Sequence, residues 1–144
     1  MIARYREIIE PDLTVITNVA PGHLEGFGSL DGILREKLTL ARGVPVAVVG
    51  TEPSRLATEA RAIATRVVTA GLADAEIQPS SVSLGADGRA RLVVDGVSLT
   101  VGPIGLHQAA NAMLVWAVAR ELGLDPSAVA AAIDENTVAV LFEP

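Results

Sequence analysis

The apolar positions fall into short blocks that alternate between two periods. Residues 2–10 carry the three-to-four spacing of an amphipathic helix, which Pro11 ends. Leu13 to Val19 is β-branched and nearly continuous in apolar character, the pattern of a strand buried on both faces. Gly and Pro are then too dense for regular structure from Ala20 to Gly28. Ser29 suits the N-cap of a helix reaching about Arg42, with Gly43 as the residue that closes it. Val44 to Val49 predicts a second buried strand. Pro53 suits the first turn of a helix to about Thr65, and Arg66 to Ala70 a third strand. Strand and helix alternating in this way predict a parallel sheet with right-handed crossovers.

The pattern then changes. Asp87-Gly88 and Asp95-Gly96 are two-residue hairpin signals that divide residues 76–101 into antiparallel strands at about 76–85, 89–94 and 97–101. Arg89 and Arg91 alternate there with Ala90 and Leu92. A long helix is predicted from Gly105 to Leu122, stopped by Gly123. Asp125-Pro126 then opens a last helix to about Ile133. Val138 to Phe142 has strand character but no evident partner. The fold class expected is α/β: a mostly parallel sheet flanked by helices, with a small antiparallel β-meander. No repeat or linker breaks the chain, so residues 1–144 are expected to form a single domain.

Composition narrows the function classes. Half of the 144 residues are hydrophobic and only 3% aromatic, so Ala, Val, Leu and Ile must build the core. A net charge of −6 argues against a nucleic-acid binder held by bulk electrostatics. Without cysteine there is no disulfide scaffold, thiolate metal site or cysteine nucleophile. The apolar run Ala109 to Ala119 is too short to span a bilayer, and residues 1–10 lack the apolar core of a signal peptide. A cytoplasmic protein without a membrane partner is expected. Of the 11 basic residues ten are arginine, and Lys37 is the single lysine.

Candidate chemistry is concentrated in two stretches. Gly-Lys-Ser/Thr after a strand and Gly-x-Gly-x-x-Gly before a helix are both missing. No serine occupies a strand-to-helix elbow that His23 or His107 would serve. His23 does follow a predicted parallel strand, at the sheet edge where open α/β folds bind ligands. Lys37 lies 14 residues further on, about two turns into the next helix. Spacing alone is equally compatible with an ordinary loop histidine and an exposed lysine beside Glu36.

Asn18-x-x-x-x-His23-Leu24-Glu25-Gly26-Phe27-Gly28-Ser29, with Lys37 following, resembles the signature of the central ATPase domain of the Mur ligases, in particular its MurF branch. Gly105-Leu106-His107-Gln108-Ala109-Ala110-Asn111-Ala112 resembles the family's second motif, Gly-x-His-Asn-x-x-Asn-Ala, with Gln108 in place of its first asparagine. The resemblance spans about residues 5–133 and implies a three-layer α/β/α central domain.

It also implies a chemistry. In that family ATP phosphorylates a carboxylate and an amine attacks the acyl phosphate; the MurF branch joins D-alanyl-D-alanine to a UDP-muramoyl tripeptide. By resemblance His23 ligates Mg²⁺, and Lys37 is a catalytic residue that also faces the metal as its carbamate. A carbamate supplies the hard oxygen donors Mg²⁺ prefers, which an ammonium cannot. His107, Gln108 and Asn111 would be cofactor-binding residues at the adenine. Trp116, Val115 and Val118 are expected in the core. The family's phosphate loop, a magnesium-sharing glutamate and the amine-substrate domain have no counterpart in these 144 residues, so no turnover is expected from this chain alone. The rival expectation is a non-catalytic scaffold, as a homo-oligomer or with a complementing chain, in which an exposed sheet edge invites pairing.

Overall fold

The computed structural model describes residues 2–19 and 29–134, in two compact units, Met1–Thr69 and Ala70–Pro144. The first holds α1 (Ile2–Ile9), β1 (Leu13–Ile16), α2 (Leu30–Leu38), β2 (Val46–Val49), α3 (Arg55–Arg61) and β3 (Arg66–Thr69). Its strands are parallel in the order β1-β2-β3, with Leu13 opposite Val46 and Val46 opposite Arg66. The central strand explains the continuous apolar pattern: Ala47, Val48 and Val49 are all fully buried. Ile16, Ala47 and Val49 share one core cluster with Ile33, Leu34 and Leu38 of α2 and Leu56 and Ala60 of α3.

Polar side chains and backbone trim the predicted elements. β1 stops at Ile16 rather than Val19, because the Val19 N–H donates to the Glu52 carbonyl (2.8 Å) and leaves the sheet. α2 ends at Leu38, four residues early. There the Thr39 hydroxyl donates to the Glu36 carbonyl (2.6 Å) and a 3-10 turn, Thr39–Ala41, continues to Gly43 at φ 67°. Ser29 does cap α2, its Oγ accepting from the Gly32 N–H at 3.1 Å. Pro53, expected inside the next helix, precedes α3 and is joined to Glu52 by a cis peptide.

α1 has an unusual setting. Ile2 N–H donates to Glu36 Oε1 (3.0 Å) and Arg6 Nη2 to the Arg42 carbonyl (2.8 Å), so its polar flank makes the attachment. The Ile2 N–H holds the Glu36 carboxyl below its ordinary range. No residue of α1 is buried, and Tyr5, Ile8 and Ile9 are exposed. A helix laid against a core does the reverse.

The second unit holds β4 (Ser81–Leu84), β5 (Arg89–Val94), β6 (Val97–Ile104), α4 (Leu106–Glu121) and α5 (Pro126–Asp134). The three strands form the antiparallel meander β4-β5-β6. Asp95 and Gly96 both have positive φ, at 49° and 77°, the geometry of a tight primed hairpin turn. β4 is shorter than predicted, since Ile77 only bridges Ala70, whereas β6 extends past Val101 to pair Ile104 with Arg89. Alternation on β5 buries Ala90, Leu92 and Val94. α4 and α5 pack on β6, and Asp125 caps α5 by accepting from the Ala128 N–H at 3.0 Å. Arg89 ties the end of α5 to the sheet, donating to the Val101 carbonyl (3.1 Å) and to Asp134 Oδ1 (2.5 Å). The possible strand at Val138–Phe142 lies outside the described residues. No helix among them is long and apolar enough to cross a membrane.

Candidate functional site

In the first unit the site begins where β1 and β2 end. Asn18, the first residue of the quoted motif, serves as a clamp: its Oδ1 accepts the Glu52 N–H at 3.1 Å, beside the bond from Val19 N–H to the Glu52 carbonyl. Gly50 N–H donates to the Ile16 carbonyl (2.9 Å), and the space above its Cα is filled by the Asn18 amide, so a side chain at 50 would collide with it. Together these bonds fix how the chain enters the segment that carries His23, which itself lies outside the described residues. Gly50 and Glu52 were not among the sequence candidates. A glycine closing a β-branched strand was their one visible signal.

Lys37 lies on the last turn of α2 and is half-buried. It is eight residues beyond the Ser29 cap, about 12 Å along the axis at 1.5 Å per residue. That agrees with the two turns read from the sequence. Among the described residues no group of three or more His, Cys, Asp or Glu side chains could hold a metal ion. These residues therefore provide no ready Mg²⁺ site.

In the second unit α4 separates the three predicted nucleotide residues. Gln108 and Asn111 are half-buried, and Asn111 Nδ2 donates to Gln108 Oε1 across 3.4 Å, a long and easily exchanged bond. Both amides line a cavity of about 480 Å³ whose walls include Val101, Ala112, Val115 and Ile133. His107, expected with these two at the adenine, is exposed and does not line the cavity. A largely apolar cavity with two amides in its wall can take a heteroaromatic ring, whose edge offers both donors and acceptors.

Trp116 belongs to the core as expected, at 3% exposure, with its Nε1–H donating to Asp95 Oδ2 at 2.9 Å. Arg120 Nη1 reaches the same carboxylate at 3.4 Å. Val115 departs from expectation: it is half exposed and lies on the cavity wall, one position round the helix from the packed face.

Comparison with known proteins agrees with this architecture. The Mur ligase middle domain model matches residues 1–119. The UDP-N-acetylmuramoyl-tripeptide--D-alanyl-D-alanine ligase of Mycobacterium tuberculosis (strain ATCC 25618 / H37Rv) is 32% identical over 140 residues, covering 92% of this chain and 28% of that protein. A UDP-N-acetylmuramate--L-alanine ligase of Paenarthrobacter aurescens is 34% identical over 140 residues, 88% of this chain and 29% of that one. The crystal structure of MurF from Acinetobacter baumannii superposes with a TM-score of 0.81 at 20% identity, over 94% of this chain and 31% of that one. MurF from Thermotoga maritima, in complex with ADP, gives 0.75 at 21% identity over 90% and 32%. The chain spans less than a third of the length of each of these proteins. By the match of its first 119 residues and the fold they build, the chain belongs to the Mur ligase middle-domain family.

Proposed function

We propose that this chain carries part of the nucleotide site of an ATP-dependent, amide-forming ligase of peptidoglycan precursor synthesis, MurF-like in its sequence. The observation that carries the reading is the cavity on α4, where Gln108 and Asn111 face an apolar slot of about 480 Å³. Those residues would fit an adenine: their mutual bond is long, and each amide would be free to pair with the ring edge. ATP, when bound, supplies the phosphoryl group that activates a carboxylate for attack by an amine such as that of D-alanyl-D-alanine. The chain's own residues hold the base through Asn111 and Gln108, with the His107 imidazole outside at the helix start.

In this reading the Lys37 ammonium would give up one proton to become the amine and a second on adding carbon dioxide, and the resulting carbamate would, with His23, supply ligands to Mg²⁺. A lysine is suited to this because its amine can be neutral, which a guanidinium cannot. The sequence has no Gly-Lys-Ser/Thr and the described residues no cluster of three or more metal-ligating side chains, so turnover by this chain alone is not expected.

Titration calorimetry of ATP with Mg²⁺ in bicarbonate buffer tests the reading. Asn111→Ala should weaken binding about 5- to 160-fold, since leaving the base edge unpaired costs about 1–3 kcal/mol. Lys37→Ala should weaken it only when Mg²⁺ is present. Absence of heat from the unaltered chain would overturn the proposal in favour of a second reading, a non-catalytic module. The outward apolar face of α1 favours that alternative.

A further inference from the structure

We propose that Arg89 is a positioning residue of the cavity on α4: by bonding β6 and the last turn of α5 at once, it holds the α5 wall at the width a nucleotide base requires. The inference rests on the reading of that cavity as the base site. Three elements of the second unit build the cavity. α4 gives Gln108, Asn111 and Ala112, β6 gives Val101 and Pro103, and α5 gives Ile133. The β6 wall is irregular. Arg91 pairs with Thr100 and Arg89 with Ile104, so a step from 91 to 89 on β5 matches one from 100 to 104 on β6. Val101 and Pro103 lie in the resulting bulge, a device that re-aims groups beside binding sites. Within it the Val101 carbonyl accepts the Arg89 Nε–H at 3.1 Å.

The same guanidinium reaches α5. Arg89 Nη2 donates to the Asp134 carbonyl (3.2 Å) and to Asp134 Oδ1 (2.5 Å). α5 has need of such a tie. It buries Val129 and Ile133, and the three residues between them are alanines. A helix anchored by two side chains opens at little cost in free energy, and its terminal turns open first. The Asp125 cap secures the first turn, and the Arg89 bonds secure the last, where Ile133 forms the wall. A guanidinium suits the task because its donors form a planar fork: Nε serves β6 while Nη2 serves α5. The single ammonium of a lysine would have to leave one of the two.

Arg89 does not itself line the cavity, so it acts on a ligand only through the positions of Val101 and Ile133. Without its bonds the last turn of α5 moves away from β6 more often, and the cavity loses its fit to a flat ring. Two alanines of α4 separate this effect from general loosening. Ala112 is 5% exposed and lies on the cavity wall, across from Ile133. Ala117 is 1% exposed and does not line the cavity. Opening of the α5 wall uncovers the first and leaves the second buried.

The chain has no cysteine, so single introduced thiols report the two positions. Ala112→Cys and Ala117→Cys are alkylated with iodoacetamide, each in the parent, Arg89→Met, Arg89→Lys and Asp134→Ala backgrounds. Arg89→Met should speed labelling of Ala112→Cys about tenfold, and Arg89→Lys nearly as much. Asp134→Ala, which keeps both carbonyl bonds, should speed it about threefold. Ala117→Cys should keep one slow rate throughout. By calorimetry Arg89→Met should weaken ATP binding about tenfold. Equal acceleration at both thiols would overturn the proposal, because it would report loss of overall stability. So would an Ala112→Cys rate that Arg89→Met and Asp134→Ala leave unchanged, or ATP bound as tightly by Arg89→Met as by the parent. The nucleotide reading has its own arm: saturating ATP should slow labelling of Ala112→Cys in the parent. If ATP neither binds nor protects while the contrast between the two thiols holds, that reading fails and Arg89 still stands as the tie that sets the cavity wall.

Discussion

Gly50→Ala tests the clamp at the end of β2. Gly50 has an ordinary φ, so the demand for glycine is one of space rather than conformation. A Cβ there would overlap the Asn18 Oδ1 and stand 2.9 Å from its Cγ and 3.0 Å from its backbone N. The side chain can rotate away, but only by giving up the bond to the Glu52 N–H, at about 1 kcal/mol. The backbone contact remains, and relieving it shifts the end of β1 against a packed core, at about 1–3 kcal/mol. The variant should therefore lose about 2–4 kcal/mol, a large share of the 5–15 typical of a folded chain. Urea denaturation followed by circular dichroism measures it.

The two contributions can be separated by a double-mutant cycle. Asn18→Ala alone should cost about 1 kcal/mol. In that background Gly50→Ala should cost at least about 1 kcal/mol less than it does in the parent, because the amide it would strike has gone. Strict additivity of the two substitutions, or a Gly50→Ala cost below about 0.5 kcal/mol, would refute the reasoning.

Two further outcomes are expected. Asp95→Ala should cost about 1–2 kcal/mol, since it leaves the buried Trp116 Nε1–H without its acceptor, and it should shift tryptophan emission on thermal melting to a lower midpoint. The Asp87 carboxyl is held below its ordinary value of 3.8, chiefly by the Arg89 N–H and then by Arg91. A lowered folded-state value means that its contribution is present above pH 3.8 and fades as pH falls through the folded value. Asp87→Asn should therefore lower stability above pH 3.8 and leave it little changed at the acid limit, so that the fall of the stability-versus-pH curve between the two is shallower.

Most of the architecture was legible because it rests on local signals. Asp95-Gly96 needs two positive φ angles and Asp125-Pro126 supplies a cap and a first turn, so the meander and the last helix fall where those pairs place them. The errors come from bonds between residues far apart in sequence. Val19 leaves β1 because of Glu52, and nothing near Val19 announces that partner. Val115 is apolar within an apolar run, so its exposure depends on how α5 packs rather than on its own neighbours. At the candidate site, Gln108 and Asn111 were visible as spaced amides on one helix, whereas the outward turn of His107 was not. The outward face of α1 was invisible for the same reason: a sequence shows amphipathicity but not which way it points.

The burial of β2 bears on how this domain can change over generations. Ala47, Val48 and Val49 are fully enclosed, and both edges of the strand are occupied by neighbours. A larger residue at 47 must be matched by a smaller one elsewhere in its cluster, at Leu56 or Leu34 for example. Single substitutions there should therefore be costly unless a second one compensates, whereas positions that face solvent on the outer strands carry less of this constraint.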